Sequence, residues 1–337
     1  MTIEVLKPGL LTTLQDAGRP GFTHLGIGSA GAFDAPALRI ANALCGNPRD
    51  AGALEITLLG PTLRFRDDAW IAITGAPIPF RVDGVDQPTW APVFVAAGVT
   101  VELGAMRSGC RSYLAVRGGF DVAPVLGSCS SDVNACLGPL AGRPLRAGDV
   151  LETGTGSGSF FSGGTPRNRD NARENEPDPI SNWRLDPRPW FPEETPATLR
   201  LLSGSHFDKL REISRKRLFS ETFTVQSDSN RVGLRLSGPT LEFDEPVEMV
   251  SEGCVPGILQ LPPSGQPIAF GPECPVSGGY PRIGQVAAVD MPRLAQRRPG
   301  DALRFVPCTF DDAFRALRER ERALGRLETR IAARLNA

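Results

Sequence analysis

The side chains able to act on a carbonyl or a phosphate gather near glycine turns. Gln15, Asp16, Arg19, His24, Asp34 and Glu55 stand in the N-terminal half, and the run RGGFDVAPVLGSCSSD adds Arg117, Asp121, Ser130 and Asp132. The C-terminal half supplies Asp228, Arg231, Glu252, Gln260, Glu273, Tyr280 and Arg282. Arginines set against carboxylates can clamp a carboxylate, carbamate or phosphate through paired N–H donors. The same residues could serve as turn and surface ion pairs, and both readings stay open at this point. His24 could act as a base, yet a lone histidine among apolar neighbours is as readily structural. Cys129 and Cys136 flank Ser130, Ser131 and Asp132 without a histidine nearby. No G-x-S-x-G motif supports a serine hydrolase.

The stretch SGGYPRIG, from Ser277 to Gly284, looks like a phosphate loop but lacks the lysine and the strand–helix setting such a loop needs. No G-x-x-x-x-G-K-[ST] occurs elsewhere. Two histidines, His24 and His206, are too few for a histidine-rich metal centre. Seven cysteines without a C-x-x-C pair argue against a disulfide framework and fit a reducing compartment. A net charge of −1 recommends neither a polyanionic partner nor a membrane surface. The N-terminal stretch does not read as a signal peptide, and no apolar run is long enough to span a bilayer, so a cytoplasmic location is expected.

The elements that must position these residues read as short β-branched runs between turns, such as AWIAITGAPIPFRVDG and RSYLAVRGG. The expected fold is mainly β, with a few short helices and a C-terminal helix. FDAPALRIANALCG reads as a helix with Asp34 as N-cap, Pro36 in its first turn and Gly46 as its stop. SHFDKLREISRKRLF reads as another, with Ser205 and Asp208 as a capping pair. The tail places Phe314, Leu317, Leu324, Leu327, Ile331 and Leu335 on one stripe. The Gly-, Ser- and Pro-rich stretch 154–196 reads as a linker or excursion between a first domain, 1–153, and a second, 197–309, with a helix over 310–337.

The two halves resemble each other. LQDAGRPG matches VQSDSNRVG, aligning Arg19 with Arg231; GPTLRF matches GPTLEF, RGGF matches SGGY, and AGDVLE matches PGDALRF. The order is kept, which argues for two copies of one β-rich domain. Their glycines are expected to allow a tight backbone path, with Tyr280 and Arg282 lining a cleft. The first copy holds an extra block between Gly21 and Gly60, where a rim insertion could carry function.

These motifs resemble the biotin-dependent carboxyltransferase family, also called allophanate hydrolase subunit 2 or KipA-like, which includes the C component of ATP-dependent 5-oxoprolinase. The likeness rests on residues 8–48, LEITLLGPTLRF, YLAVRGGFDVAPVLGS, SEGCVPGILQLPPSGQPI, SGGYPRIGQVAAVD and LAQRRPGDALRF. It implies tandem cyclophilin-like β-barrel domains. It also implies a KipI-like partner of the 5-oxoprolinase B-component type and a LamB/YcsF-like partner of the A-component type. That assembly opens 5-oxoproline to glutamate with ATP and Mg²⁺. A second implied role is carboxyl transfer from carboxybiotin, carried on another chain, to urea or a related amide. A third is a non-catalytic regulatory partner in a KipI–KipA-type kinase-inhibitor complex. The candidate catalytic set is Asp16, Arg19, His24, Arg117, Asp132, Arg231, Glu252, Gln260, Tyr280 and Arg282. Relatives commonly carry an aspartate with arginine or histidine, then two threonines, before the second glycine pair; here PECPVSGGYP places Glu273, Cys274, Val276 and Ser277 there. SDSNRVG replaces a common Ser-Asp-Arg-Met-Gly, and a cysteine in LGSCSSD replaces a frequent arginine.

Overall fold

A computed structural model describes residues 1–154, 183–191 and 193–336, so residues 155–182 of the expected linker lie outside the described chain. The fold is mixed α/β, with one closed barrel among the described residues, several open sheets, and helices that include a C-terminal one. The chain divides into two compact units. The first comprises Met1–Ala17, Ala35–Phe191 and Ala323–Ala337; the second comprises Gly18–Asp34 and Pro192–Arg322. No helix among the described residues is long and apolar enough to cross a membrane.

The first unit holds β1 (Thr2–Lys7), β2 (Leu11–Gln15), β3 (Ala53–Thr57), β4 (Thr62–Phe65), β5 (Ala69–Gly75) and β6 (Phe80–Val82). It continues with β7 (Val85–Asp86), β8 (Pro92–Val95), β9 (Thr100–Leu103), β10 (Arg111–Val116) and β11 (Val150–Glu152). They form a six-stranded sheet ordered β11-β1-β4-β9-β6-β7 and a five-stranded sheet ordered β2-β3-β10-β5-β8. The six-stranded sheet buries one face, and its strands alternate accordingly, with Ile3, Val5, Leu63 and Phe65 inside. In the five-stranded sheet β10 is buried throughout, because α1 (Ala35–Leu44) packs on β5 and β10. The sequence explains α1 directly. Pro36 suits a first turn, and Gly46 takes φ +69° just past the end, where its N–H reaches Ala43 O at 3.0 Å. Leu38, Ile40 and Leu44 are buried beneath it, each contributing about 1.5–3 kcal/mol.

The second unit holds β12 (Ala197–Ser203), β13 (Phe223–Val225), β14 (Gly233–Ser237), β15 (Glu252–Gly253) and β16 (Ile258–Gln260). It adds β17 (Ile268–Phe270), β18 (Ser277–Gly278), β19 (Arg282–Val286) and β20 (Ala302–Pro307). Seven of these close into a barrel ordered β12-β19-β16-β17-β14-β13-β20, sealed by parallel pairing of β12 with β20. Strands β15 and β18 form a separate two-stranded ribbon. The barrel core holds Leu199, Phe223, Leu236, Leu259 and Phe305, and Phe33 from the Gly18–Asp34 segment joins it.

The helix expected over SHFDKLREISRKRLF is broken. A 3₁₀ turn at Phe207–Lys209 is separated from α2 (Glu212–Ser220) by extended backbone at Leu210 and Arg211. Neither Ser205 nor Asp208 caps α2, whose N-cap is Arg211, because Leu210 is fully buried and pulls the chain inward there. After the short α3 (Met291–Ala295), the C-terminal α4 (Phe310–Leu335) buries Leu324, Ile331 and Leu335 of the expected stripe, while Phe314 remains exposed.

One of the repeated motifs folds the same way in both units. Asp149 N–H meets Arg146 O at 3.1 Å and Asp301 N–H meets Arg298 O at 3.0 Å, with Gly148 at φ +88° and Gly300 at φ +89°. A left-handed third residue is what a type II turn requires, and glycine supplies it. In each, the aspartate carboxylate also accepts the N–H three residues back, from Arg146 at 2.7 Å and Arg298 at 3.1 Å.

Candidate functional site

In the first unit, β2, β3, β10 and β5 place Thr13, Glu55, Tyr113 and Thr74 in one cross-strand row. Directly opposed residues share a face, and Thr74 Oγ1 donates to Ala37 O of α1 at 2.6 Å, so this polar row lies on the α1 side. Tyr113 OH donates to Glu55 Oε2 at 2.7 Å, and Arg111 Nε lies 3.5 Å from Glu55 Oε1. All three side chains are buried. Two residues further along β2, Gln15 spends both amide protons, on Thr13 Oγ1 at 3.0 Å and Ser131 O at 2.9 Å. Its Oε1 and the Ser131 hydroxyl are buried without a hydrogen-bond partner. A carboxamide oxygen accepts and a hydroxyl can donate, so the pair is complementary to an amide N–H and C=O.

Asp16 anchors the sequence-distant segment Ser128–Ser130. Its carboxylate accepts from Ser128 Oγ, Ser130 Oγ and Cys129 N–H, each at 2.6 Å, and its own N–H donates to Ser130 Oγ at 2.9 Å. Burial first, then the Asp16 charge, push the Cys129 thiol up, which disfavours a nucleophilic thiolate. Asp132 Oδ1 accepts from the N–H groups of Asn134 and Ala135 at 3.1 and 3.0 Å, an ordinary turn role. Burial lowers the pKa of Arg117, which sits by Cys45.

In the second unit the SGGYPRIG stretch forms β18, a turn and β19. Strand β18 pairs with β15, so Glu252 faces Gly278 and Gly253 faces Ser277. The Arg282 guanidinium pairs with Glu252 and donates to Gly253 O at 3.1 Å, holding the ribbon to β19. Gln260 is buried on β16 opposite Arg282, with Nε2 3.7 Å from Cys254 Sγ. The glycines differ from the expectation. Gly118 and Gly119 in RGGF need positive φ, +89° and +70°. Gly278 does not; a Cβ there would sit 2.7 Å from Gln260 Nε2 and 3.1 Å from Cys254 Sγ, so a side chain would have to displace the buried Gln260 carboxamide. Gly279 has room for a side chain.

His206 joins this site although no motif points to it. Its Nδ1 accepts from Arg282 N–H at 3.2 Å and lies 3.0 Å from Ser205 Oγ, and the His206 backbone N–H donates to Arg282 O at 3.0 Å. Burial, then the charges of Lys209 and Arg282, hold the imidazole below its ordinary range. The only signal in the sequence is its rarity. Arg231 is buried away from solvent, with Nε 2.5 Å from Glu273 Oε1 and Nη2 2.8 Å from Gly31 O. Arg19 is buried, with its N–H on Ser29 O at 2.7 Å, whereas His24 is exposed in a 3₁₀ turn at Thr23–Leu25. Of the ten expected residues, Glu252, Gln260 and Arg282 are brought together by side-chain or cross-strand contact.

Tyr280 lines a cleft of about 630 Å³, with Phe243, Leu261 and the carboxylates of Glu242, Asp244 and Glu245. A second cleft of about 660 Å³ in the first unit has Lys7, Arg81 and Glu102 among its walls. The first is acidic, which disfavours a nucleoside triphosphate. In the second, the N–H groups of Gly60 and Gly104 are already bonded to Gly104 O and Pro79 O. Among the described residues no group of three His, Cys, Asp or Glu is placed to hold a metal ion.

Comparisons with known proteins agree with this architecture. The family described as "Carboxyltransferase domain, subdomain A and B" matches residues 25–307. The C component of 5-oxoprolinase from Escherichia coli is 36% identical over 98% of both chains. Urea amidolyase of Saccharomyces cerevisiae is 31% identical over 94% of this chain and 17% of its own. The crystal structure of the K. lactis urea amidolyase superposes with a TM-score of 0.83 at 27% identity, over 96% of this chain and 20% of that one. The chain thus belongs to the biotin-dependent carboxyltransferase family, an enzyme family that includes the 5-oxoprolinase C component and related urea amidolyase and urea carboxylase members.

Proposed function

We propose that this chain is the carboxyltransferase-type subunit of an enzyme acting on a small amide of the cyclic-amide or urea class, with carboxybiotin carried on another chain as the carboxyl donor. The observation that carries the reading is the family match, which runs from 25 to 307 and takes in residues of both units. Two features support it. Gln15 Oε1 and Ser131 Oγ complement an amide N–H and C=O, and a donor held against a carbonyl oxygen stabilises charge that develops there. Of the two clefts, the one in the first unit is the less acidic: Lys7 offsets Glu102, and Arg81 is paired with Asp86, its Nε 2.8 Å from Asp86 Oδ1. The same reading takes the two units as tandem cyclophilin-like barrels, for which the matching turns at 146–149 and 298–301 speak.

A specific observation favours a second reading. The Escherichia coli relative aligns end to end and is a 5-oxoprolinase C component. On that reading the substrate is 5-oxoproline, the partners are a KipI-like protein of the B-component type and a LamB/YcsF-like protein of the A-component type, and ATP with Mg²⁺ binds on a partner. Two reconstitutions separate the readings. The chain is mixed either with a biotin carboxylase and biotinylated carrier plus urea, or with the two partner types plus 5-oxoproline. Biotin-dependent ATP turnover with urea supports the first; glutamate release with matching phosphate, without biotin, supports the second. Silence in both leaves a regulatory partner and sinks both catalytic readings.

A further inference from the structure

The acidic cleft beside Tyr280 has the wrong charge for any carboxylate substrate. Between Glu242 and Glu252 the sequence EFDEPVEMVSE carries five carboxylates and no lysine or arginine. Glu252 is neutralised by Arg282, and Glu242 by Arg211, whose Nη1 lies 2.5 Å from Glu242 Oε2. Arg211 is the one cation among the cleft's lining residues, so it is already committed. Asp244 and Glu245, both exposed, enter no ion pair among the described residues.

The hydrogen-bonding balance points the same way. Pro246, Pro262, Pro263 and Pro281 form part of the wall. A proline lacks an N–H, so this wall is poor in donors; Pro262 O and Pro281 O already accept from Gly265 and Leu261 N–H at 3.0 and 2.9 Å, which leaves the Asp244 and Glu245 carboxylates as the main acceptors. Its remaining surface is apolar, from Phe243, Leu261 and Tyr280. Tyr280 is 46% exposed, and Val250 and Val255, which flank β15, are 85% and 53% exposed. An occupant that satisfies all three properties has cationic donors on an apolar stem, which is a lysine- or arginine-bearing peptide segment.

We propose that this cleft docks a basic, partly apolar segment of a partner protein, with Asp244 and Glu245 receiving its cations and Tyr280 and Phe243 packing on its side-chain stems. Docking is read by binding alone, so it stands or falls separately from the proposed reaction.

The probe is a fluorescently labelled hexapeptide alternating lysine and leucine, titrated with the full chain and followed by anisotropy. A glutamate-for-lysine version is the control. The expected result is saturable binding of the basic peptide that weakens at least about tenfold when salt rises from about 0.05 to about 0.5 M. Asp244→Lys/Glu245→Lys is expected to weaken it by at least about tenfold. Tyr280→Ala should weaken it at both salt concentrations. These positions are exposed; an unchanged near-ultraviolet circular dichroism spectrum checks that the variants fold. Absence of binding, equal binding of the acidic peptide, or binding indifferent to the charge reversal overturns the proposal. So does sedimentation showing self-association abolished by the charge reversal, because the occupant would then be a second copy of this chain.

Discussion

Asp16 shows how fully a buried carboxylate can be satisfied here, with three donors on its two oxygens. Against that background the unpartnered Ser131 hydroxyl and Gln15 Oε1 carry weight, because a buried polar atom left without a partner costs about 1–3 kcal/mol. Ser131→Ala is therefore expected to leave the denaturant midpoint unchanged or to raise stability by up to about 1 kcal/mol. If the hydroxyl meets substrate, the same variant lowers turnover in the reconstituted enzyme about tenfold or more. A loss of stability with unchanged turnover would remove Ser131 from the site. His206 provides a second residue-level outcome. Its folded pKa is depressed, so the unfolded chain takes up the proton first as pH falls below about 6.5. This contribution to stability is fully present above that value and is lost as pH falls from it towards the lower folded value. Chemical denaturation across pH 7 to 5 checks it, and His206→Asn, which keeps an acceptor for Arg282 N–H, should flatten that part of the profile.

At the scale of elements, the ribbon β15–β18 depends on one glycine and not its neighbour. Gly278→Ala forces a Cβ against Gln260 and Cys254 and is expected to cost about 1–3 kcal/mol. Gly279→Ala, with its nearest contact at 3.6 Å, should change the midpoint little. Equal effects would refute the packing argument. This distinction marks the limit of what the sequence makes legible. The Gly148 and Gly300 turns are readable because backbone geometry alone requires glycine there. Helix α1 is readable because Pro36 and Gly46 punctuate an apolar period. Gly278 is different, since its constraint comes from side chains on β16 and before it, distant in sequence. The same applies to His206 and Arg282, joined across 76 residues. Arg231 and Glu273 are both visible as polar candidates, yet only the fold reveals that they neutralise each other. Arg231→Met would leave Glu273 charged and buried, at a cost of about 3–5 kcal/mol. Adding Glu273→Leu should recover most of that cost, as a double-mutant cycle can measure.

The whole molecule adds a constraint that neither residue nor element carries alone. The second unit is not a continuous stretch, because Gly18–Asp34 belongs to it together with Pro192–Arg322. Phe33 is 4% exposed within that unit's barrel core, and a Cβ on Gly271 would approach its ring at 3.1 Å. The carbonyl of Gly31 receives Arg231 Nη2. Without this segment the barrel would lose a buried aromatic side chain and leave a buried guanidinium short of an acceptor, two losses with a common origin. Removing a buried phenylalanine side chain costs about 3–5 kcal/mol, a large share of a domain's net stability of about 5–15 kcal/mol. A fragment covering 192–322 should therefore fail to show a cooperative thermal transition, or melt well below the intact chain. A synthetic peptide of residues 18–34 added in trans should raise its midpoint in a concentration-dependent way, because a ligand that binds only the folded state stabilises it by mass action. The same peptide with Phe33→Ala should be much less effective. If the fragment alone melts as cooperatively and as high as in the intact chain, the barrel does not need the segment, and Phe33 is then merely accommodated by a core that is complete without it.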